Sequence, residues 1–184
     1  MTILAPPAPA PARRTTRTSS TTAAPCTSTD CRVNAEPFRA WVRQLMSDTG
    51  LPWRVIARAS RVPSATVYAL LRGQDQRSMA TLPQLEAERL FRLDHHRLAY
   101  LQQEPADPQQ VRLLLLSLAM AGCSNRQIAE FSGIDTLTVR VLMTGDRAWC
   151  SRLQQVRAEA ACEAWGINPD MVVRKRAPAA RIGR

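Results

Sequence analysis

The chain has 184 residues, enough for one ordinary domain or for two small ones that lean on each other, because a unit of about 60 residues buries only about 60% of its unfolded surface. Hydrophobic residues make up 45% of it, yet it holds three Phe, two Tyr and four Trp; Leu, Ala, Val and Ile must fill the core, which favours helices over sheet. A formal charge of +10 suits a polyanionic partner, nucleic acid before an anionic membrane surface, and the absence of an 18-residue apolar window excludes a membrane-spanning helix.

Residues 1–35 are Ala, Pro, Thr and Ser with a few Arg, a composition that cannot offset chain entropy by burial, and are expected to be a disordered tail. They lack the long apolar stretch of a signal peptide, which points to a cytoplasmic protein, nucleoid-associated or in a host cell if phage-encoded. The five cysteines show no CxxC pair and no Cys/His cluster with zinc spacing, so reduced thiols are expected, with Cys123 and Cys162 as small core residues.

Beyond the tail the chain repeats itself. At an offset of 72 without a gap, GLPWRVIARASRVPSATVYALLRG (50–73) lies on GCSNRQIAEFSGIDTLTVRVLMTG (122–145), with identities that include Arg54/Arg126, Ile56/Ile128, Ala57/Ala129, Ser60/Ser132, Val67/Val139, Leu70/Leu142 and Gly73/Gly145. Each copy opens on an amphipathic helix, 38–48 with Trp41, Val42 and Leu45 on one stripe, and 108–121 with Val111, Leu114, Leu115 and Leu118. A short second helix follows, 52–59 and 124–131. A turn then leads to a third, 64–71 and 136–143. A fourth is expected at an offset near 71, pairing Leu82, Leu85 and Leu90 with Leu153, Val156 and Ala161.

Two short helices that cross steeply need a small residue where they approach, and Ala57 and Ala129 occupy that slot; Val62 and Ile134 anchor the turn. With Val67, Leu70, Val139 and Leu142 directed inward, the outward positions are Ser64, Ala65, Tyr68, Ala69 and Arg72 in the first copy. In the second they are Thr136, Leu137, Arg140, Val141 and Thr144.

The pattern IARASRVPSATVYALLRG, with one helix before it and another after, resembles the lambda-repressor-like helix-turn-helix family of phage and bacterial regulators, here in tandem duplicate. The resemblance covers 38–93 well and 108–166 more loosely. It implies a compact four- or five-helix unit whose third helix enters the major groove with its N-terminal residues on base edges. The base-reading positions it implies are Ser64, Ala65, Tyr68 and Ala69, supported by Trp53 and Arg54. The third helix has no Gln or Asn at its start, which disfavours bidentate adenine reading there.

Residues 37–103 hold ten Arg against five acids, whereas 104–173 hold six Arg against eight acids. Affinity for DNA rests on phosphate contacts, so the first copy is the expected principal reader, with Arg58, Arg61, Arg72 and Arg77 as further contacts. In the second copy Arg126, Thr136, Leu137 and Arg140 face the same side, with Asp135 as a helix cap or a repulsive charge. Either both copies dock on one duplex or the second serves as a homodimerisation or packing module. The short link 95–110 limits their separation. Trp41 and Trp165 are expected in the core, and Trp53 either in the core or facing DNA.

The domain reading is therefore a 1–35 tail, a first helix-turn-helix domain at 36–103, a second at 104–173, and a basic tail at 174–184 with Arg174, Lys175 and Arg176 as phosphate contacts. The fold class is all-α, two tandem helical bundles. No catalytic residue is evident, since Ser/His/Asp arrangements, phosphate-binding Gly-rich loops and paired carboxylates in apolar context are missing. Asp94, His95 and His96 are too poorly arranged for a metal, and neither a cofactor nor a small-molecule ligand is expected. The function these features imply is a sequence-specific double-stranded DNA-binding transcriptional regulator, a repressor before an activator. The alternatives are an architectural or recombination accessory protein of excision-factor type, and a protein-binding regulator that uses the acidic second copy.

Overall fold

The computed structural model describes residues 31–72, 79–146 and 149–174 and is all-α, with ten helices and two short antiparallel strand pairs among those residues. None of these helices is long and apolar enough to cross a membrane. The first half runs β1 (Arg32–Asn34), α1 (Glu36–Thr49), α2 (Trp53–Ser60), α3 (Ser64–Leu71), β2 (Thr81–Pro83), α4 (Gln84–Phe91) and α5 (His95–Gln103). The second runs β3 (Pro105–Ala106), α6 (Pro108–Met120), α7 (Asn125–Ser132), α8 (Thr136–Thr144), β4 (Cys150–Ser151), α9 (Arg152–Ala164) and α10 (Pro169–Arg174). Each half thus repeats a strand, three helices, a second strand and a further helix. In each half the two strands pair, Val33 opposite Leu82 and Ala106 opposite Cys150.

Residues 32–35 are not tail. Ala35 is fully buried, and the strand before it is hydrogen-bonded to β2. The expected 95–110 link is also largely ordered structure, with α5 capped by the Asp94 carboxylate, which accepts from the Arg97 amide at 2.7 Å.

The repeated serines explain themselves locally. Ser60 donates its hydroxyl to the Ile56 carbonyl at 2.8 Å, and Ser132 to that of Ile128 at 2.7 Å, so both are satisfied inside the core at the end of the second helix. The next residue takes the left-handed conformation in both copies, with φ 57° at Arg61 and 63° at Gly133. That bend swings the chain into α3 and α8, and only the second copy uses the residue type that adopts it without steric cost.

The fourth helix keeps a different register from the first three. The connection between α3 and β2 (72–80) has nine residues, against five (145–149) between α8 and β4, so the offset falls from 72 to 68. Leu82, Ala87, Leu90 and Leu93 then correspond to Cys150, Gln155, Ala158 and Ala161, buried residue for buried residue. This replaces the expected pairing of Leu82, Leu85 and Leu90 with Leu153, Val156 and Ala161; Leu85 is 55% exposed.

The apolar interior has two centres that meet on α9. Val42, Leu45, Ile56, Leu70, Leu82 and Leu90 form the first. Val111, Leu114, Leu115, Leu118, Ile128 and Leu142 form the second. Along α9, Leu153, Val156 and Ala160 join the first centre, while Ala158, Ala161 and Cys162 join the second. The small residues Ala158, Ala160, Ala161 and Cys162 let helices approach α9 from both sides, and α2 of the first half packs directly on it. Burial pushes the Cys162 thiol up to about 12, so it stays neutral and packs as a small apolar group.

Candidate nucleic-acid interface

α3 begins at Ser64 because Pro63 sets its entry and the preceding turn is fixed from two sides. Val62 is buried beneath the turn, and the Arg61 carbonyl accepts from the Arg89 guanidinium of α4 at 3.1 Å. The second copy reproduces this clamp, since Arg157 of α9 donates to the Gly133 carbonyl at 2.7 Å. Arg89 and Arg157 are 68 residues apart, the fourth-helix offset, and a search at 72 passes over them. Burial lowers the pKa of Arg157 from its ordinary value.

The other ends of α3 and α8 are closed by arginines of the first helices. Arg39 donates to the Leu70 carbonyl at 2.7 Å, Arg43 to that of Leu71 at 3.2 Å, and Arg112 to that of Met143 at 2.9 Å. Positive charge at the C-terminal carbonyls opposes the helix dipole there. These three arginines therefore have structural work that the sequence reading did not assign.

With both ends fixed, α3 turns Val67 and Leu70 inward and leaves Ala65, Tyr68 and Arg72 exposed, with Ser64 and Ala69 half-buried. Trp53 at the start of α2 packs on Tyr68 as a tilted pair with ring centres 5.5 Å apart. The Arg54 guanidinium lies 4.3 Å above the Trp53 ring, and that of Arg72 lies 4.8 Å from the Tyr68 ring. The result is a ladder of arginine, tryptophan, tyrosine and arginine along α2 and α3, half-buried at Arg54 and Trp53, where Trp53 packs on the core, and exposed at Tyr68 and Arg72. A cation–π contact at an exposed site such as Arg72–Tyr68 is worth roughly 0.5–1 kcal/mol, enough to pre-order the guanidinium group without consuming its N–H donors.

The opposite end of α3 differs from the expectation. The Ser64 hydroxyl donates to the Glu163 carboxylate at 2.6 Å. Arg58 does not face outward for a phosphate; its guanidinium is bound by Glu159 at 3.1 Å, Glu163 at 3.2 Å and Asp170 at 3.2 Å, all from α9 and α10. Burial works against the Arg58 charge, but the three carboxylates outweigh it and hold its pKa above the ordinary value. Arg58 and Ser64 thus join the two halves of the molecule. Arg61 remains exposed.

On the second copy Arg126, Thr136, Leu137 and Arg140 are exposed, as is Thr144, while Val141 is half-buried. Asp135 caps α8 by accepting from the Thr138 amide at 2.8 Å. That hydrogen bonding lowers its pKa. Among the described residues the second copy has no such arginine–aromatic ladder. Phe131 meets Trp165 as a tilted pair with ring centres 5.5 Å apart, and Trp165 is 40% exposed, not a core residue. Trp41 is half-buried and donates its indole N–H to the Leu90 and Leu93 carbonyls. Arg174 is exposed at the end of α10; Arg77, Lys175 and Arg176 lie outside the described residues. No family model, curated protein or solved structure matches the chain.

Proposed function

We propose that the chain is a sequence-specific double-stranded DNA-binding regulator, a repressor in type, which acts in the cytoplasm and lays α3 in the major groove. The observation that carries this reading is the open face of α2 and α3, where the ladder of Arg54, Trp53, Tyr68 and Arg72 flanks the exposed Ala65. Arginine offers a planar fork that matches guanine edges and phosphates, and small residues beside it allow close approach to the bases. On this reading Ala65, Tyr68, Ala69 and Arg72 face base edges, and Trp53 and Arg54 face the backbone. Ser64 is already committed to Glu163 and Arg58 to three carboxylates, so neither contributes directly.

Selection from a library of random duplexes tests the proposal, with the intact chain beside a Tyr68→Ala/Arg72→Ala variant. A defined motif that the variant loses supports it. Uniform binding across sequences that survives the double substitution overturns it in favour of an architectural role.

A second reading concerns the α8 face, where Leu137 is 69% exposed where the first copy has Ala65, and where the Phe131–Trp165 pair stays open to solvent. Exposed apolar groups favour protein contact over phosphate contact. The partner on this reading is a second copy of the chain, giving a dimer that presents two α3 helices. A Leu137→Asp change would then convert a dimer into a monomer in sedimentation equilibrium.

A further inference from the structure

Between the two halves lies a cleft of about 470 Å³, of the size that holds a small-molecule ligand. Five arginines and four acids line it. Arg58 accounts for three of those acids, Glu159, Glu163 and Asp170. What remains is Arg61 from the turn before α3, Arg89 from α4, Arg97 from α5 and Arg152 from α9, against the single carboxylate of Glu104. Arg61, Arg89, Arg97 and Arg152 form no ion pair among the described residues; Arg89 spends one N–H on the Arg61 carbonyl, and Arg97 rests 4.9 Å from the Tyr100 ring.

Four like charges brought to one cavity by four different elements repel one another, and an anion between them relieves that repulsion. Glu104 adds a second, independent requirement. One of its carboxylate oxygens is shielded from water and accepts no hydrogen bond, an arrangement that costs free energy until a donor arrives. The phosphate of a ligand would satisfy the guanidinium groups, and its hydroxyl groups would satisfy Glu104.

We infer that the cleft between the two repeats is a binding site for a small hydroxyl-bearing phosphate ester of nucleotide or sugar-phosphate size, held by Arg61, Arg89, Arg97 and Arg152, with Glu104 accepting from a ligand hydroxyl. The site is separate from the Trp53–Tyr68 ladder and does not depend on the DNA reading. It departs from the sequence-based expectation of no small-molecule ligand, because the cavity exists only once α9 is seated on α2.

Isothermal titration of the full chain at 150 mM salt tests this, with adenosine 5′-monophosphate, ribose 5-phosphate, inorganic phosphate and adenosine as probes. The expected result is one-to-one binding of the two phosphate esters, tighter than that of inorganic phosphate, and none of adenosine. Saturation by both esters points to recognition of the shared sugar phosphate, and by the nucleotide alone to recognition of the base as well. An Arg97→Ala/Arg152→Ala variant, whose substituted side chains form no hydrogen bond among the described residues and whose fold is checked by circular dichroism, should bind at least tenfold more weakly. Glu104→Gln should weaken the esters while leaving inorganic phosphate unchanged. An Arg32→Ala/Arg92→Ala variant, altered outside the cleft, should bind as the intact chain does. Absence of saturable binding to both esters, or equal losses in the cleft and surface variants, would overturn the proposal.

Discussion

Arg58→Ala probes the joint between the two halves. Its guanidinium is 3.1 Å from Glu159 and 3.2 Å from Glu163, carboxylates with side-chain exposures of 13% and 24%, and Arg58 itself is 22% exposed. Breaking a fully buried pair by removing one partner costs about 3–5 kcal/mol, because the other charge is left without compensation. Partial exposure reduces this, and the third partner, Asp170, is 65% exposed and adds at most about 1 kcal/mol. Loss of the Arg58 stem packing works in the same direction. We expect a loss of about 2–3 kcal/mol at neutral pH, read from urea unfolding followed by tryptophan fluorescence. Without Arg58, Glu159 and Glu163 stand one helical turn apart as uncompensated like charges. Adding Glu159→Gln and Glu163→Gln to Arg58→Ala should therefore recover at least about 1 kcal/mol, the signature of coupled charges in a mutant cycle. A loss under about 0.5 kcal/mol, or a triple variant no more stable than Arg58→Ala, would show that these charges do not hold the two halves together.

Two further outcomes follow from the repeat. Arg61→Gly should stabilise the chain by about 0.5–1 kcal/mol in the same urea assay, because relief of the left-handed strain of about 1–2 kcal/mol exceeds the extra freedom glycine gives the unfolded chain; Gly133 already does this in the second copy. Asp135 has a folded pKa below its unfolded value, so its contribution is fully present above the usual carboxylate range and is lost as pH falls through the folded value. Melting temperatures of the intact chain and Asp135→Ala should therefore differ at pH 6–7 and converge as the pH falls below the usual carboxylate range; a gap that widens on acidification would contradict the capping role.

What was legible in the sequence lies within each copy. The spacing placed α3 at 64–71, the bounds observed, because Pro63, the inward Val67 and Leu70, and the small Ala57 are all local signals. The outward face of α3 followed from the same periodicity, Tyr68 and Arg72 included. What escaped it depends on contacts between distant parts of the chain. Arg58 meets Glu159 across 101 residues, and nothing in the local pattern of ARAS shows that α9 lies against α2. Arg89 and Arg157 carry the same duty in both copies, but four extra residues in the α3–β2 connection shift the register and hide them. Trp165 reads as core by residue type; at the end of α9 it is 40% exposed and meets Phe131 in a tilted ring pair. The Trp53–Tyr68 contact spans two helices whose crossing no single-helix periodicity fixes.

Whether the open face of α3 reads a DNA sequence is decided by titrating one selected duplex and one scrambled duplex with the intact chain and with Tyr68→Ala/Arg72→Ala at several salt concentrations. The intact chain should prefer the selected duplex by roughly a thousandfold, a preference that falls by at least tenfold in the variant, while both affinities decline with salt as phosphate contacts require. Equal affinity for the two duplexes, unchanged by the double substitution, would contradict sequence reading by this face.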